Sequence, residues 1–299
     1  MEYAMTRELE NELNEIIGEF SGIMAVSARS LSGMQEVDID SDLVFPMASV
    51  IKVPILVALY ELAALGKVSL DSRLTLEDSD KRGGSGILKV FESGLEPTVR
   101  DVATLMVVLS DNTATNMVLD AFGGDVATVN AAMDGLGLAT VRLNNRIDFE
   151  AIGDDIRRLG VASPRDLRTL MEMIALRSIV DARLCEEMES ILEQQQYLNQ
   201  FPRYMRVTPY WRELGQIPEI MVANKTGFFL GTRVDAGIIR FPGQGGFTYC
   251  VANHEGSDLT FLTESEGDVA NGLIGRAILR AWWPESMGDC PVVNPISRA

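Results

Sequence analysis

Histidine is nearly missing from this chain: His254 is the only one in 299 residues. A zinc centre built on several histidines is therefore excluded. A Ser-His-Asp triad would have to recruit His254, which sits in the polar stretch Asn253-His254-Glu255-Gly256-Ser257 and reads as a surface turn residue. Cysteine is also scarce. Cys185, Cys250 and Cys290 are odd in number, widely spaced and without a CxxC pair, so neither a zinc site nor a disulfide framework is expected. Basic residues are outnumbered, 26 against 43 acidic, for a formal net charge of -17. That balance argues against nucleic acid and anionic membrane as partners and serves solubility. No apolar run is long enough to span a bilayer. The first residues, Met1-Glu2-Tyr3-Ala4-Met5-Thr6-Arg7-Glu8, show neither a basic n-region nor an apolar h-region. The expectation is a cytoplasmic protein, or a periplasmic or secreted one from which a leader was removed. No metal or other cofactor is expected.

What is present is ordinary globular composition, 46% hydrophobic and 23% charged, with length enough for a large core. Residues 5 to 19 carry amphipathic helical spacing. Ile23 to Leu31 and Val37 to Phe45 read as strands around a Ser32-Gly33 turn. A buried helix opens at Ser49 and runs to about Leu65, its first turn distorted by Pro54. Asp71 to about Gln196 reads as mostly helical, with loops at Gly83-Gly84-Ser85-Gly86 and Gly123-Gly124, and with Met171 and Met173 as helix core. After a variable segment from Phe201 to Pro218, three antiparallel strands are expected: Ile220 to Phe229, Arg233 to Phe241 and Phe247 to Asn253. A last helix spans about Asp268 to Trp283, stopped by Pro284, with a weakly patterned tail. The fold class is thus α/β (α+β): an antiparallel sheet flanked by helices, with an all-helical block inserted. The chain reads as one domain, an α/β part from 1–48 plus about 215–299 and a helical part of about 49–214.

The chemistry concentrates in Ser49-Val50-Ile51-Lys52. A hydroxyl is a poor nucleophile at neutral pH until something takes its proton. A lysine three residues on lies on the same helical face and within reach. The pair can activate a serine without histidine. Two further motifs follow in order: Ser110-Asp111-Asn112, and Lys225-Thr226-Gly227 in an expected strand. Each tripeptide alone is weak evidence, since serine caps helices and Asp-Asn makes turns. The three in this order are a specific combination.

On these motifs the chain resembles the serine β-lactamase and penicillin-binding protein superfamily, and within it the class A β-lactamases, from about Ile23 to the last helix. Arg142-Leu143 and Ser163-Pro164 fall where that family has its Ω-loop and the following helix. The resemblance implies roles. Ser49 is the acylated nucleophile. Lys52 holds or receives its proton, if desolvation or a neighbouring cation such as Lys225 lowers its pKa. Ser110 relays a proton to the leaving nitrogen, and Asn112 bonds the substrate amide and Lys52. Lys225 and Thr226 hold an anionic substrate group. Gly227 lets substrate lie against the strand. The backbone N–H groups of Ser49 and Phe228 form the oxyanion hole.

The sequence departs from that family at the glutamate that activates the deacylating water. Alignment on Arg142-Leu143 puts Ile147 in its place, with Asp148 and Glu150 nearby; Glu150, having the longer reach, is the expected substitute. The last strand lacks the family's carboxylate-binding arginine, and Arg233 is the expected replacement. The implied activity is a serine acyl-hydrolase opening the β-lactam amide bond. The alternatives are an esterase, peptidase or acyltransferase of the same fold, and a penicillin sensor that stays acylated. The acylation base stays open between Lys52 and a loop carboxylate. The expected partner is a small acyl substrate, and the expected state a monomer.

Overall fold

One five-stranded sheet collects strands from both ends of the chain. The computed structural model describes residues 2–124, 126–208 and 210–286, with side chains from residue 7 onward; Cys290 and the tail beyond residue 286 lie outside it. Strands β1 (Ile23–Ser30) and β2 (Glu36–Ile39) come from the N-terminal part. Strands β6 (Met221–Phe229), β7 (Thr232–Phe241) and β8 (Gly245–His254) come from the C-terminal part. Their order is β2-β1-β8-β7-β6, antiparallel throughout, which leaves β6 at an edge.

The alternation of side chains along a strand feeds two separate cores. Val234, Ala236 and Ile238 of β7 join one, with Leu167, Leu170 and Met171 of α7 (Pro164–Ala175) and with α2 (Lys52–Ala64). Ile239 and Phe241 join the other, under α1 (Glu2–Glu19) and α9 (Glu266–Trp282). The remaining helices are α3 (Val99–Val108), α4 (Asn112–Ala121), α5 (Val126–Gly135), the single turn α6 (Phe149–Ile152) and α8 (Ala182–Leu192). This is the expected mixed α/β architecture. Several helix starts carry their own side-chain caps: Thr98 with Asp101 at α3, Asp111 at α4, Ser163 ahead of Pro164 at α7, and Ser265 at α9.

A small second sheet, β3 (Phe45–Pro46), β5 (Gly160–Ala162) and β4 (Arg142–Leu143) in the order β3-β5-β4, clamps both ends of the loop 144–159 beside Met47. Met47 N–H donates to Gly160 O, and the amides of Asn144 and Asn145 both donate to Leu159 O, closing the loop on itself.

Three local expectations are corrected. The strand expected from Val37 to Phe45 ends at Ile39, because Asp40 turns through a left-handed conformation (φ 50°), and Phe45 pairs in the other sheet. The stretch 71–98 is irregular, not helical, with only the short 3₁₀ turns Asp78–Asp80 and Leu88–Val90; its glycines and Pro97 disfavour helix. His254 ends β8 and its Nδ1 meets the Thr232 hydroxyl at 2.7 Å, so it is part of the sheet and not of a surface turn.

Candidate active site

Ser49 sits in a 3₁₀ turn, Ala48–Ile51, that runs directly into α2 at Lys52. The tight turn follows from Ala48, a residue with a Cβ held at φ 44°. Few such residues adopt that conformation without support from the surrounding structure. Pro54 is the third residue of α2, where its missing N–H has no intrahelical partner to lose. Every residue from Lys52 to Tyr60 is buried, so α2 is a rigid apolar post carrying the Ser-Lys pair.

Lys52 Nζ is surrounded by oxygen. It donates to Ser110 O at 2.6 Å, Ser110 Oγ at 2.9 Å and Asn112 Oδ1 at 2.9 Å, and stands 3.1 Å from Ser49 Oγ. An ammonium has three N–H groups for these four oxygens, whereas a neutral amine offers a lone pair to one hydroxyl. Burial pushes the Lys52 amine well below the usual lysine range; the Lys225 charge adds to this, and Asp111 opposes it.

Ser110 holds its position through a second left-handed backbone (φ 53°), between the end of α3 and the Asp111 cap of α4. The glycine-rich loop 83–86 is fastened over it. Ser85 Oγ donates to Ser110 O at 2.6 Å, Asn112 N–H donates to Ser85 O, and Asn112 Nδ2 donates to Gly83 O at 2.9 Å. Asp111 completes the clasp, its Oδ2 accepting from the amides of Ile87 and Leu88 at 2.6 and 2.9 Å. Gly86 must be glycine here: its φ is +101°, and a Cβ would stand 2.2 Å from the Asp111 carboxyl carbon.

On the other side β6 runs against the Ser49 turn. A Cβ on Gly227 would lie 2.6 Å from Met47 O and 3.0 Å from Ser49 N, so only glycine allows this approach. Lys225 and Thr226 beside it are fully buried. Lys225 Nζ donates to Thr226 O at 2.6 Å, and burial brings its amine down to about 7 against the opposing pull of Asp235. Asp235, also buried, is raised to about 7 by the same desolvation, although it accepts from Asn224, Tyr249 and the Phe201 amide.

Ser49, Lys52, Ser110 and Asn112 therefore converge, and Gly227 and Phe228 border them. Lys225 and Thr226 stay buried behind the cleft and do not line it, and Glu150 and Arg233 do not join it either. Glu150 is exposed and does not line the Ser49 cleft; it lines a neighbouring cleft of about 550 Å³ with Arg82, Asn116 and Arg146. The cause is local. Asn116 grips the backbone of Ile147 in both directions, at 3.0 Å each way, and Ile147 lines the wall between the two clefts. Asp148 is spent capping α6 through the amides of Glu150 and Ala151. Arg233 is 3% exposed and its five N–H groups are all engaged: Nε to Asp268, Nη1 to Phe229 O and Thr232 O, Nη2 to Thr260 O and Ser265 Oγ. It fastens the β6–β7 end to α9 and has no donor left for a substrate.

Ser85, Asn116 and Asp235 were not singled out from sequence. Asn116 follows Asn112 by one helical turn, which was a readable signal; Ser85 and Asp235 reach the site only through tertiary packing.

A model of the β-lactamase enzyme family matches residues 8–282. The β-lactamase L2 of Stenotrophomonas maltophilia is 31% identical over 134 residues; the match spans 44% of this chain and only about two fifths (41%) of that protein. A β-lactamase structure from Sphaerobacter thermophilus superposes with a TM-score of 0.79 at 26% identity, over 95% of this chain and 98% of that one. A variant of the penicillin-binding protein PBP-A, in acyl-enzyme complex with penicillin G, superposes at 0.78 with 25% identity, over 92% of this chain and 96% of that one. The family model covers nearly the whole length of the chain, and the chain belongs to the β-lactamase enzyme family.

Proposed function

We propose that the protein is a serine acyl-hydrolase that opens a β-lactam or a related amide through an acyl-enzyme on Ser49. One observation carries this: a buried, depressed lysine amine 3.1 Å from the Ser49 hydroxyl, in a turn that exposes that hydroxyl to a cleft. Lys52 takes the Ser49 proton as Oγ attacks the carbonyl. The backbone N–H groups of Ser49 and Phe228 take the developing oxyanion. The proton passes from Lys52 Nζ across 2.9 Å to Ser110 Oγ and on to the leaving nitrogen. Asn112 has one Nδ2 hydrogen on Gly83 O and the other for a substrate amide carbonyl. Lys225 is fully buried and lies outside the cleft lining, so it acts through its charge on Lys52.

A second reading is favoured by Ile147. The side chain facing Ser49 from the loop is aliphatic and cannot activate water, so the acyl-enzyme is hydrolysed slowly and accumulates. A variant of PBP-A, a relative of similar fold, has been solved as an acyl-enzyme with penicillin G.

Turnover of a chromogenic cephalosporin and intact-protein mass after penicillin G test both readings. The expected result is an adduct of one penicillin, absent in Ser49→Ala. Turnover that clears it within minutes supports the hydrolase, and an adduct lasting hours supports the stable acyl-enzyme. Neither adduct nor turnover in the wild type overturns the assignment to β-lactams. Glu150→Gln is expected to leave both steps unchanged; slowed deacylation in that variant would return Glu150 to the mechanism.

A further inference from the structure

The walls of the Ser49 cleft carry no charge. Its lining contains Ile147 and Phe149 from the loop, Ile156 and Leu159 from the loop's return, Phe228 from β6, and Phe261; no Asp, Glu, Lys or Arg faces it among the described residues. Its polar groups, Ser49, Ser85 and Asn112, belong to the Ser-Lys and Ser-Asp-Asn side already described. The volume is about 220 Å³, small beside the roughly 300–1,000 Å³ usual for drug-sized ligands.

The apolar lining continues onto the surface. Phe149 is 44% exposed and Phe261 60% exposed, with Leu259 and Leu262 exposed beside Phe261 in sequence. Phe261 is nonetheless posed: its ring meets the Phe228 ring edge-on at 6.1 Å, and the Arg233 guanidinium lies 5.6 Å from its centre. Exposed apolar surface rimming a cleft marks a binding surface. Here the cleft ends at the nucleophile, so the occupant is the part of the substrate joined to the acylated carbonyl. A carboxylate or ammonium on that part would lose its hydration with no partner to replace it, because Arg233 has no free N–H and Glu150 does not line the cleft.

The geometry points to acyl groups with a compact, uncharged aromatic or branched-alkyl side chain as the substrates this cleft selects. This rests on the Ser49 acyl-enzyme proposed above. In the step tested, the Ser49 Oγ–carbonyl bond forms, the lactam C–N bond breaks, and the Ser49 proton ends on that nitrogen. Nothing is expelled, so the adduct has the mass of the whole β-lactam.

The test compares penicillin G, with a phenylacetyl side chain, and its α-carboxyphenylacetyl analogue, which differs by one carboxylate. Acylation rates are followed by intact-protein mass and corrected for each compound's alkaline hydrolysis rate. Penicillin G is expected to acylate Ser49 at least tenfold faster. Phe261→Arg, a change at an exposed rim position, is expected to shrink that ratio to threefold or less, whereas Phe261→Leu keeps it. Equal rates in the wild type overturn the selectivity and leave the acyl-enzyme standing. Acylation by neither compound overturns both. An unchanged ratio in Phe261→Arg overturns the placement of the acyl side chain against Phe261.

Discussion

Lys52 shows how a buried side chain becomes a base without histidine. Its amine would be charged at neutral pH in water; inside the fold, burial first and the Lys225 cation second favour the neutral form. The sign of the pH dependence follows. Acylation needs neutral Lys52, so its rate falls as pH drops through the lowered lysine pKa, giving an acid limb. Lys225 titrates near 7, so its charge presses on Lys52 most strongly below that pH. Lys225→Met removes the charge while keeping an unbranched side chain of similar length. The acid limb of the acylation rate against pH is expected to move to higher pH in that variant. A limb that stays in place would mean that Lys52 is not the titrating base, or that Lys225 is uncharged throughout. Arg233 shows the opposite fate of a cation. Five satisfied N–H groups and the Asp268 carboxylate fix it as a rivet between the sheet and α9.

The α4 start and the 83–88 loop form a single structural unit through Asp111. One oxygen caps α4 at the Ala114 amide, 2.9 Å away, and the other takes two loop amides. Asp111→Ala leaves the buried Ala114 and Leu88 amides and the part-buried Ile87 amide without their acceptor. Loss of a cap alone costs about 1 kcal/mol, and each orphaned buried donor about 1–3. A destabilisation of roughly 3–5 kcal/mol in denaturant unfolding is expected, with Asp111→Asn smaller only by the bonds its single carbonyl oxygen keeps, since its NH2 cannot accept from the loop amides. Equal losses in the two variants would show that the clasp does not act through that acceptor. Such units also explain what was legible beforehand. Amphipathic spacing and capping residues are local, so α1, α9 and the three C-terminal strands could be read nearly to their ends. The region 71–98 could not: its shape comes from bonds to Asp111, Thr113 and Asn112, distant in sequence. The placement of the loop acid was hard to read for the same reason. Glu150 is close to the expected position along the chain, but Ile147, gripped by Asn116, lines the Ser49 cleft and Glu150 does not.

Across the whole molecule, stability and chemistry pull against each other along the seam between the two cores. Lys52, Lys225 and Asp235 are all without solvent contact there, in a protein whose helices and sheet are otherwise packed on aliphatic and aromatic side chains. Burying such groups works against folding, and replacing buried charges by apolar residues of similar volume is often stabilising by about 1–4 kcal/mol. Lys225 makes the case testable. In the unfolded chain it keeps its proton up to the ordinary lysine range near 10.5; in the folded protein it loses it above about 7. Between those values the unfolded state binds the extra proton, so wild-type stability falls as pH drops from about 10 to 7 and the penalty is complete below that. Asp235 is left without a charged neighbour in Lys225→Met, but below its own raised value of about 7 it is protonated and still hydrogen-bonded to Asn224 and Tyr249. Lys225→Met is therefore expected to unfold at higher denaturant concentration than wild type at pH 6, by about 1–4 kcal/mol, with the gain shrinking by pH 9. A variant that is less stable at pH 6 would mean that Lys225 is retained for the fold, and a gain that does not change with pH would mean that its cost does not come from its proton.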